Sequence, residues 1–199
     1  RSPFFEPAQT RAVIVAATYS AMPQLPRFLS GFRAHIQTEV GTHTDSYSRT
    51  LAEVVWHQPF WPALTFNARL RLGTATGDVI QPKLFALGGQ GTLPGFAWSE
   101  YTGNRMMLLN AEVLLHPAPF SLSRFWSNLS FALLANAGYT SVQENNASPL
   151  TGLLPSSLDT WHTDIGLGLG TRNGVFMVGG IWRTDTGRSS FFVRFSRPF

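Results

Sequence analysis

The chain has no cysteine, little charge and no long apolar run, and each absence removes a class of protein. Without a single cysteine in 199 residues, neither disulfides nor thiolate ligands hold or work the fold. Charged residues make up 13%, about half of the roughly 25% usual in soluble domains, which is too few for an ordinary solvated surface. No stretch reaches the ~18 consecutive apolar residues of a membrane helix. There is no Gly-x-Ser-x-Gly elbow, no His-Glu-x-x-His pair and no phosphate loop, and the histidines are dispersed one to a segment. No catalytic, cofactor-binding or metal-binding residue is therefore expected, and the chain is not read as an enzyme. The net charge is +4, but Arg33, Arg49, Arg69, Arg71 and Arg172 are scattered. That pattern excludes the clustered basic face of a nucleic-acid binder.

What the chain does have is alternation. Leu64, Phe66, Ala68, Leu70 and Leu72 alternate with Thr65, Asn67, Arg69 and Arg71, and Met107, Leu109, Ala111, Val113 and Leu115 alternate with Asn110, Glu112 and His116. A period of two with one apolar and one polar face predicts strands. Amphipathic strands without surface charge are the remaining way to cross a bilayer with every backbone group paired. The fold class read from this is all-β, an antiparallel transmembrane barrel. Nine candidate strands stand near 11–20, 27–40, 47–57, 64–73, 105–116, 128–139, 161–171, 175–183 and 189–199. Leu64, Phe66, Leu70, Leu109, Val113, Leu133 and Leu167 are expected to face lipid, and Asn67, Arg69, Arg71, Asn110, Glu112 and Asp164 the lumen. There the scattered arginines can pair with Glu39, Glu53, Glu112 and Asp164.

Proline- and glycine-rich punctuators separate most strands, whereas 78–104 and 141–159 are long polar connections. One rim is thus expected to carry tight turns and the other long loops. Aromatic clusters beside two turns, Trp56, Phe60 and Trp61 and then Phe120, Phe125 and Trp126, are expected in interfacial girdles. Nine strands do not close a bacterial barrel, and the residues from Arg1 onward do not read as a leader. Residues 1–199 are accordingly expected to be the C-terminal part of one barrel domain, with the remaining strands upstream.

Between the two cleanest strands lies Gly88-Gly89-Gln90-Gly91-Thr92-Leu93-Pro94-Gly95-Phe96. Gly88, Gly89 and Gly91 permit positive φ and close backbone approach. Pro94-Gly95 suits a type II turn that carries Phe96 inward. Downstream, Asp164, Gly166, Gly168 and Gly170 share one parity, a bare row expected to leave space for an inserted loop. Asp164 and Glu112 are the carboxylates expected to meet loop atoms, through Arg105 or backbone N–H groups, with Asn136 completing the contact.

This loop, the strand containing Asn110-Ala111-Glu112, the strand end Ala135-Asn136-Ala137-Gly138-Tyr139 and the segment from Asp164 to Gly170 resemble, in that order, the sixth extracellular loop and following strands of the BamA/TamA family, also called the bacterial surface antigen family. The resemblance runs from about Arg27 to Phe199 and implies about the last nine of roughly sixteen strands, with a lumen-folded loop at about 75–104. Two positions depart from the family pattern. Pro94 stands where the loop tip carries arginine, and Asn136 where aspartate is usual. The tip is therefore expected to dock without an ion pair, by turn geometry, aromatic packing and backbone hydrogen bonds. Phe191, Val193, Phe195 and Phe199 share one parity and resemble the C-terminal signal by which the assembly machinery recognises barrel clients.

The resemblance implies an outer-membrane location and a role in outer-membrane protein assembly or translocation, or as membrane anchor of an N-terminal passenger. Its implied partners are outer-membrane lipid, the barrel assembly machinery and unfolded outer-membrane protein clients. The alternatives are a passive diffusion channel and an outer-membrane hydrolase.

Overall fold

The computed structural model describes residues 11–22, 30–42, 45–61, 63–116, 128–172 and 174–195. It is all-β: β1 (Arg11–Ala21), β2 (Gly31–Thr42), β3 (Ser46–Trp61), β4 (Leu64–Gly77), β5 (Phe85–Leu87), β6 (Tyr101–Gly103), β7 (Arg105–Leu115), β8 (Leu129–Ser141), β9 (His162–Thr171), β10 (Met177–Arg183) and β11 (Ser189–Arg194). Nine of them form one antiparallel meander in the order β1-β2-β3-β4-β7-β8-β9-β10-β11. These are the nine strands that the alternation predicts. The remaining two, β5 and β6, pair with each other inside the long β4–β7 connection. Three residues each are too few for a period of two to show, and the sequence reading has only loop there.

The wall is an apolar-out, polar-in sheet. Leu133 and Leu167 are 55% and 57% exposed on one face, while Asn67, Asn110, Glu112 and Asp164 on the other are at most 4% exposed. A soluble sandwich has the reverse arrangement. The inner face is nevertheless not polar throughout. Reading down β7 by its inward residues, Met106 and Leu108 join an upper apolar cluster with the loop residues Phe85, Leu87, Leu93 and Phe96. Asn110 and Glu112 follow, and Leu114 then enters a lower cluster with Ala132, Leu134, Met177, Ile181 and Phe192.

Both long connections, 78–104 and 142–161, leave from the same rim because each follows a strand running in the same direction. Two links at that rim, 43–45 and 184–188, are short as well, so length does not separate the rims as cleanly as the sequence predicts. Trp56, Phe60 and Trp61 stand exposed toward the end of β3 at the opposite rim. The second aromatic cluster, Phe120, Phe125 and Trp126, lies outside the described residues. Phe191 of β11 and Phe195 just after it are 74% and 77% exposed, while Phe192 is buried. Val193 shares the outward parity, and Phe199 lies outside the described residues.

A charge placed in the middle of the outward apolar band has only apolar side chains beside it. Leu109→Arg, at the middle of β7, is expected to destabilise the folded protein in a bilayer by about 2–4 kcal/mol, read as a lowered urea midpoint in liposomes.

Candidate functional site

Four strands each contribute one inward polar residue at the same level. The register pairs Arg69 of β4 with Asn110 of β7, Asn110 with Asn136 of β8, and Asn136 with Asp164 of β9. Their side chains join hand to hand. Arg69 donates to Asn110 Oδ1 from Nε at 3.1 Å and Nη2 at 2.7 Å. Asn110 Nδ2 donates to Asn136 Oδ1 at 2.6 Å, and Asn136 Nδ2 to Asp164 Oδ1 at 2.6 Å. The ladder crosses the wall, and its leftover hydrogen-bonding capacity points at the loop.

The loop backbone supplies the matching groups. Arg69 Nη2 donates to the Gly91 carbonyl, and Asn110 Nδ2 to the Thr92 carbonyl at 2.8 Å. The Gly95 N–H donates to Asp164 Oδ2 at 2.9 Å. Gly88, Gly89 and Gly91 adopt φ of 115°, 85° and 93°, and the Gly89 N–H lies 3.0 Å from the carbonyls of both Leu93 and Phe96. The tip closes with the Phe96 N–H on the Leu93 carbonyl at 3.1 Å. Gly95 has no positive φ, so the Pro94-Gly95 turn is not the type II turn read from the sequence. Glycine is needed there for closeness instead. A Cβ on Gly95 would lie 3.0 Å from Asp164 Cβ and 3.1 Å from its Oδ2.

Leu93 and Phe96 are 0% and 4% exposed. Room for them and for Leu87 comes from glycines other than the expected row. A Cβ on Gly138 would meet Leu87 at 2.7 Å and Leu93 at 2.9 Å, and one on Gly73 would meet the Phe85 ring at 2.6 Å. Gly168 and Gly166, by contrast, accommodate Met177 and Ile181 of β10. The row is filled by the neighbouring strand, and the tip reaches only its end, at Asp164.

Phe96 sits against Tyr101 and His162, with ring centroids 5.7 and 5.9 Å away, and those two rings stack on each other at 3.5 Å. The Arg183 guanidinium lies 4.0 Å from the Phe96 ring centroid. It also pairs with Glu100 at 2.9 Å and Asp185 at 2.7 Å. The loop therefore does have an ion pair, at its shoulder and not at its tip. Sequence reasoning missed it because 83 positions separate the partners.

Other candidates fall nearby or elsewhere. Glu112 pairs with Arg194 of β11 at 2.7 Å and accepts from Asn67 at 3.2 Å. Arg71 pairs with Glu53 at 3.1 Å, as does Arg33 at 3.6 Å. Arg105 does not join the lumen contacts. It shares the outward parity of Met107 and Leu109, and its guanidinium donates to carbonyls of Ala75, Asn104, Ser148 and Thr151. That parity was visible in the sequence and is the signal that places it. Among the described residues no group of histidine, cysteine or carboxylate side chains could hold a metal ion.

No family model and no curated protein matches the sequence. Solved structures do. The chain aligns with the crystal structure of BamA from Haemophilus ducreyi lacking POTRA domains 1–3 at a TM-score of 0.61 and 16% identity, over 91% of this chain and 42% of that one. The fold is that of part of a BamA-type barrel wall. CdiB from Acinetobacter baumannii gives the same TM-score at 15% identity, over 92% of this chain and 32% of that one. The chain thus spans less than half the length of either structure. In this BamA-type wall basic groups that meet the buried loop, Arg183 beside Phe96 and Arg69 at the Gly91 carbonyl, stand on strands, while the tip itself carries Pro94 and offers a backbone N–H to Asp164.

Two outcomes follow. Gly95→Val is expected to impair folding far more than Gln90→Ala, because a Cβ at 95 is already tight against Asp164 at 3.0 Å and the two methyl groups of valine add to the crowding, whereas Gln90 is an exposed residue whose amide donates to the Val193 carbonyl at 2.8 Å. Heat-modified gel mobility separates folded from unfolded protein in both variants. The second concerns acid. The Ala97 N–H, and after it Arg183, hold the Glu100 carboxyl below its ordinary value against the opposing effect of desolvation. A carboxylate depressed in the folded state adds stability at neutral pH, and that part is lost as the pH falls below about 4 and through the lowered value. Urea midpoints at pH 7 and pH 3 are expected to differ less for Glu100→Gln than for the parent.

Proposed function

We propose that this chain is the membrane-embedded wall of an outer-membrane barrel that inserts or translocates other polypeptides, with a lumen occupied by its own loop. One observation carries the reading: the tip is bonded to three strands at once, through Gly91, Thr92 and Gly95 on Arg69, Asn110 and Asp164. A wall built only for passive diffusion gains nothing from four cross-linked polar residues that seat a loop in the pore. The likeness of fold to BamA and CdiB supports the same reading. On it the protein resides in the outer membrane, meets its lipid, unfolded clients and the assembly machinery, and performs no bond chemistry of its own.

A second reading, membrane anchor of an upstream passenger, is favoured by Pro94. A tip without its own charge can be a static plug, and an anchor needs no more than that.

Full-length protein in liposomes, offered an unfolded outer-membrane client, separates the readings. Accelerated client folding that Gly95→Val abolishes is the expected result. No acceleration together with low conductance assigns the anchor, and steady ion conductance through the parent protein overturns the occupied-lumen reading.

A further inference from the structure

At one level of the exterior the apolar face is interrupted by three hydrogen-bond donors. Thr74 of β4, Arg105 of β7 and Ser141 of β8 are register partners across adjacent strands. They lie one two-residue step beyond the outward row Leu72, Met107 and Tyr139, about 6.8 Å along the strand. Residues 148–152 of the β8–β9 connection lie along these donors. Thr74 Oγ1 donates to the Pro149 carbonyl at 2.9 Å. Arg105 donates from Nε to Thr151 at 3.0 Å and from Nη2 to Ser148 at 3.1 Å. Ser141 Oγ donates to Gly152 at 2.8 Å. Asn104 fixes the start of the connection by exchanging two hydrogen bonds with the Gln143 backbone, 2.7 and 2.8 Å long.

Residues 148–152 therefore lie against the outward side of the wall at this level and not over the lumen. Arg105 is 0% exposed despite its outward parity, because the segment covers it and satisfies its charge with carbonyls. Four carbonyls are thereby turned toward the wall, and the residue enclosed by them, Leu150, is left 77% exposed. Leu154, just beyond, is 67% exposed. From 142 to 161 the sequence offers the carboxylates Glu144 and Asp159 and no lysine or arginine, so nothing there attracts an anionic partner.

We infer that residues 148–152 form a lipid-contact collar, which places Leu150 in the interfacial layer of the leaflet on the long-loop side. Continuity names the occupant: the collar lies on the same face as Leu72, Met107 and Leu109 and directly above them, where the solvent of the apolar band ends. The collar hides the guanidinium that would otherwise face that layer, and presents a leucine in its place. An arginine in the wall thus serves as the peg that holds an apolar side chain at a fixed depth.

The inference rests on the membrane reading of the wall, and the test separates the two. The chain contains no cysteine, so Leu150→Cys, Leu109→Cys and Asn146→Cys can each carry one environment-sensitive fluorophore in an otherwise cysteine-free full-length protein. The labelled proteins are placed in phosphatidylcholine vesicles with brominated or ordinary acyl chains, and aqueous iodide is the second quencher. Labels at 109 and 150 are expected to lose most of their intensity to brominated lipid and little to iodide, and the label at 146 the reverse. Thr74→Val, which removes one donor from the wall, should shift the label at 150 toward iodide. If 109 is quenched by lipid while 150 is quenched by iodide, or by neither as when another polypeptide covers it, the collar is overturned and the wall stands. If 109 also escapes the lipid, the membrane reading itself fails.

Discussion

A buried polar group must be satisfied, and on this wall four of them are placed side by side where water is displaced by the loop. Arg69, Asn110, Asn136 and Asp164 satisfy one another only in part, since their donors and acceptors outnumber the bonds between them. The loop backbone completes the set with two carbonyls and one N–H. Each net bond is worth only about 1 kcal/mol, but an orphaned buried partner costs about 1–3 kcal/mol. The ladder and the seated tip therefore stabilise each other as long as the site stays closed to water. Turn geometry, the bare Gly95 and the two apolar clusters all serve that one requirement.

The division of labour above and below the ladder follows. Above it, loop and wall bury Phe85, Leu87, Leu93, Phe96, Met106 and Leu108 together. Below it, the wall packs on itself through Met177, Ile181 and Phe192. A BamA-type resemblance leads one to look for a cation on the tip, and proline there does not leave the loop without one. Arg183 lies over Phe96 from the wall side and holds Glu100 at the same time. The charge beside Phe96 is anchored on a strand, and the cation that the loop itself carries, Lys83, pairs with Glu39 of β2 at 2.7 Å.

The wall was legible because period-two alternation over ten or more residues has few other readings. Every main strand and both faces follow from it, and the inward polar row could be named from β4, β7 and β9 alone. What the alternation cannot carry is what packs against what. The glycines of β9 announced space without saying for whom, and Met177 and Ile181 took it. Gly95 was read as a conformational glycine although its role is contact with a residue 69 positions away. Arg105 looked like a lumen charge because charge is expected inside, yet its own parity set it outside. The loop covering it is a tertiary event with no local signal. Leu108 and Leu114, apolar and inward, likewise depend on partners brought by other segments.

The ladder also sets an order of events in time. Its bonds span 41, 26 and 28 positions, and the tip contact to Asp164 spans 69. Closing such separations costs chain entropy before any contact offsets it, which makes non-local pairing slow. Strand β9 must lie beside β8 before Asp164 reaches Asn136, and only then does the Gly95 N–H find its acceptor. Seating of the tip is thus a late step, gated by completion of four strands whose last member is made well after the loop itself. A nascent wall lacking β9 offers the tip Arg69 and Asn110 but not Asp164, so the tip's full set of contacts reads out the arrival of that strand.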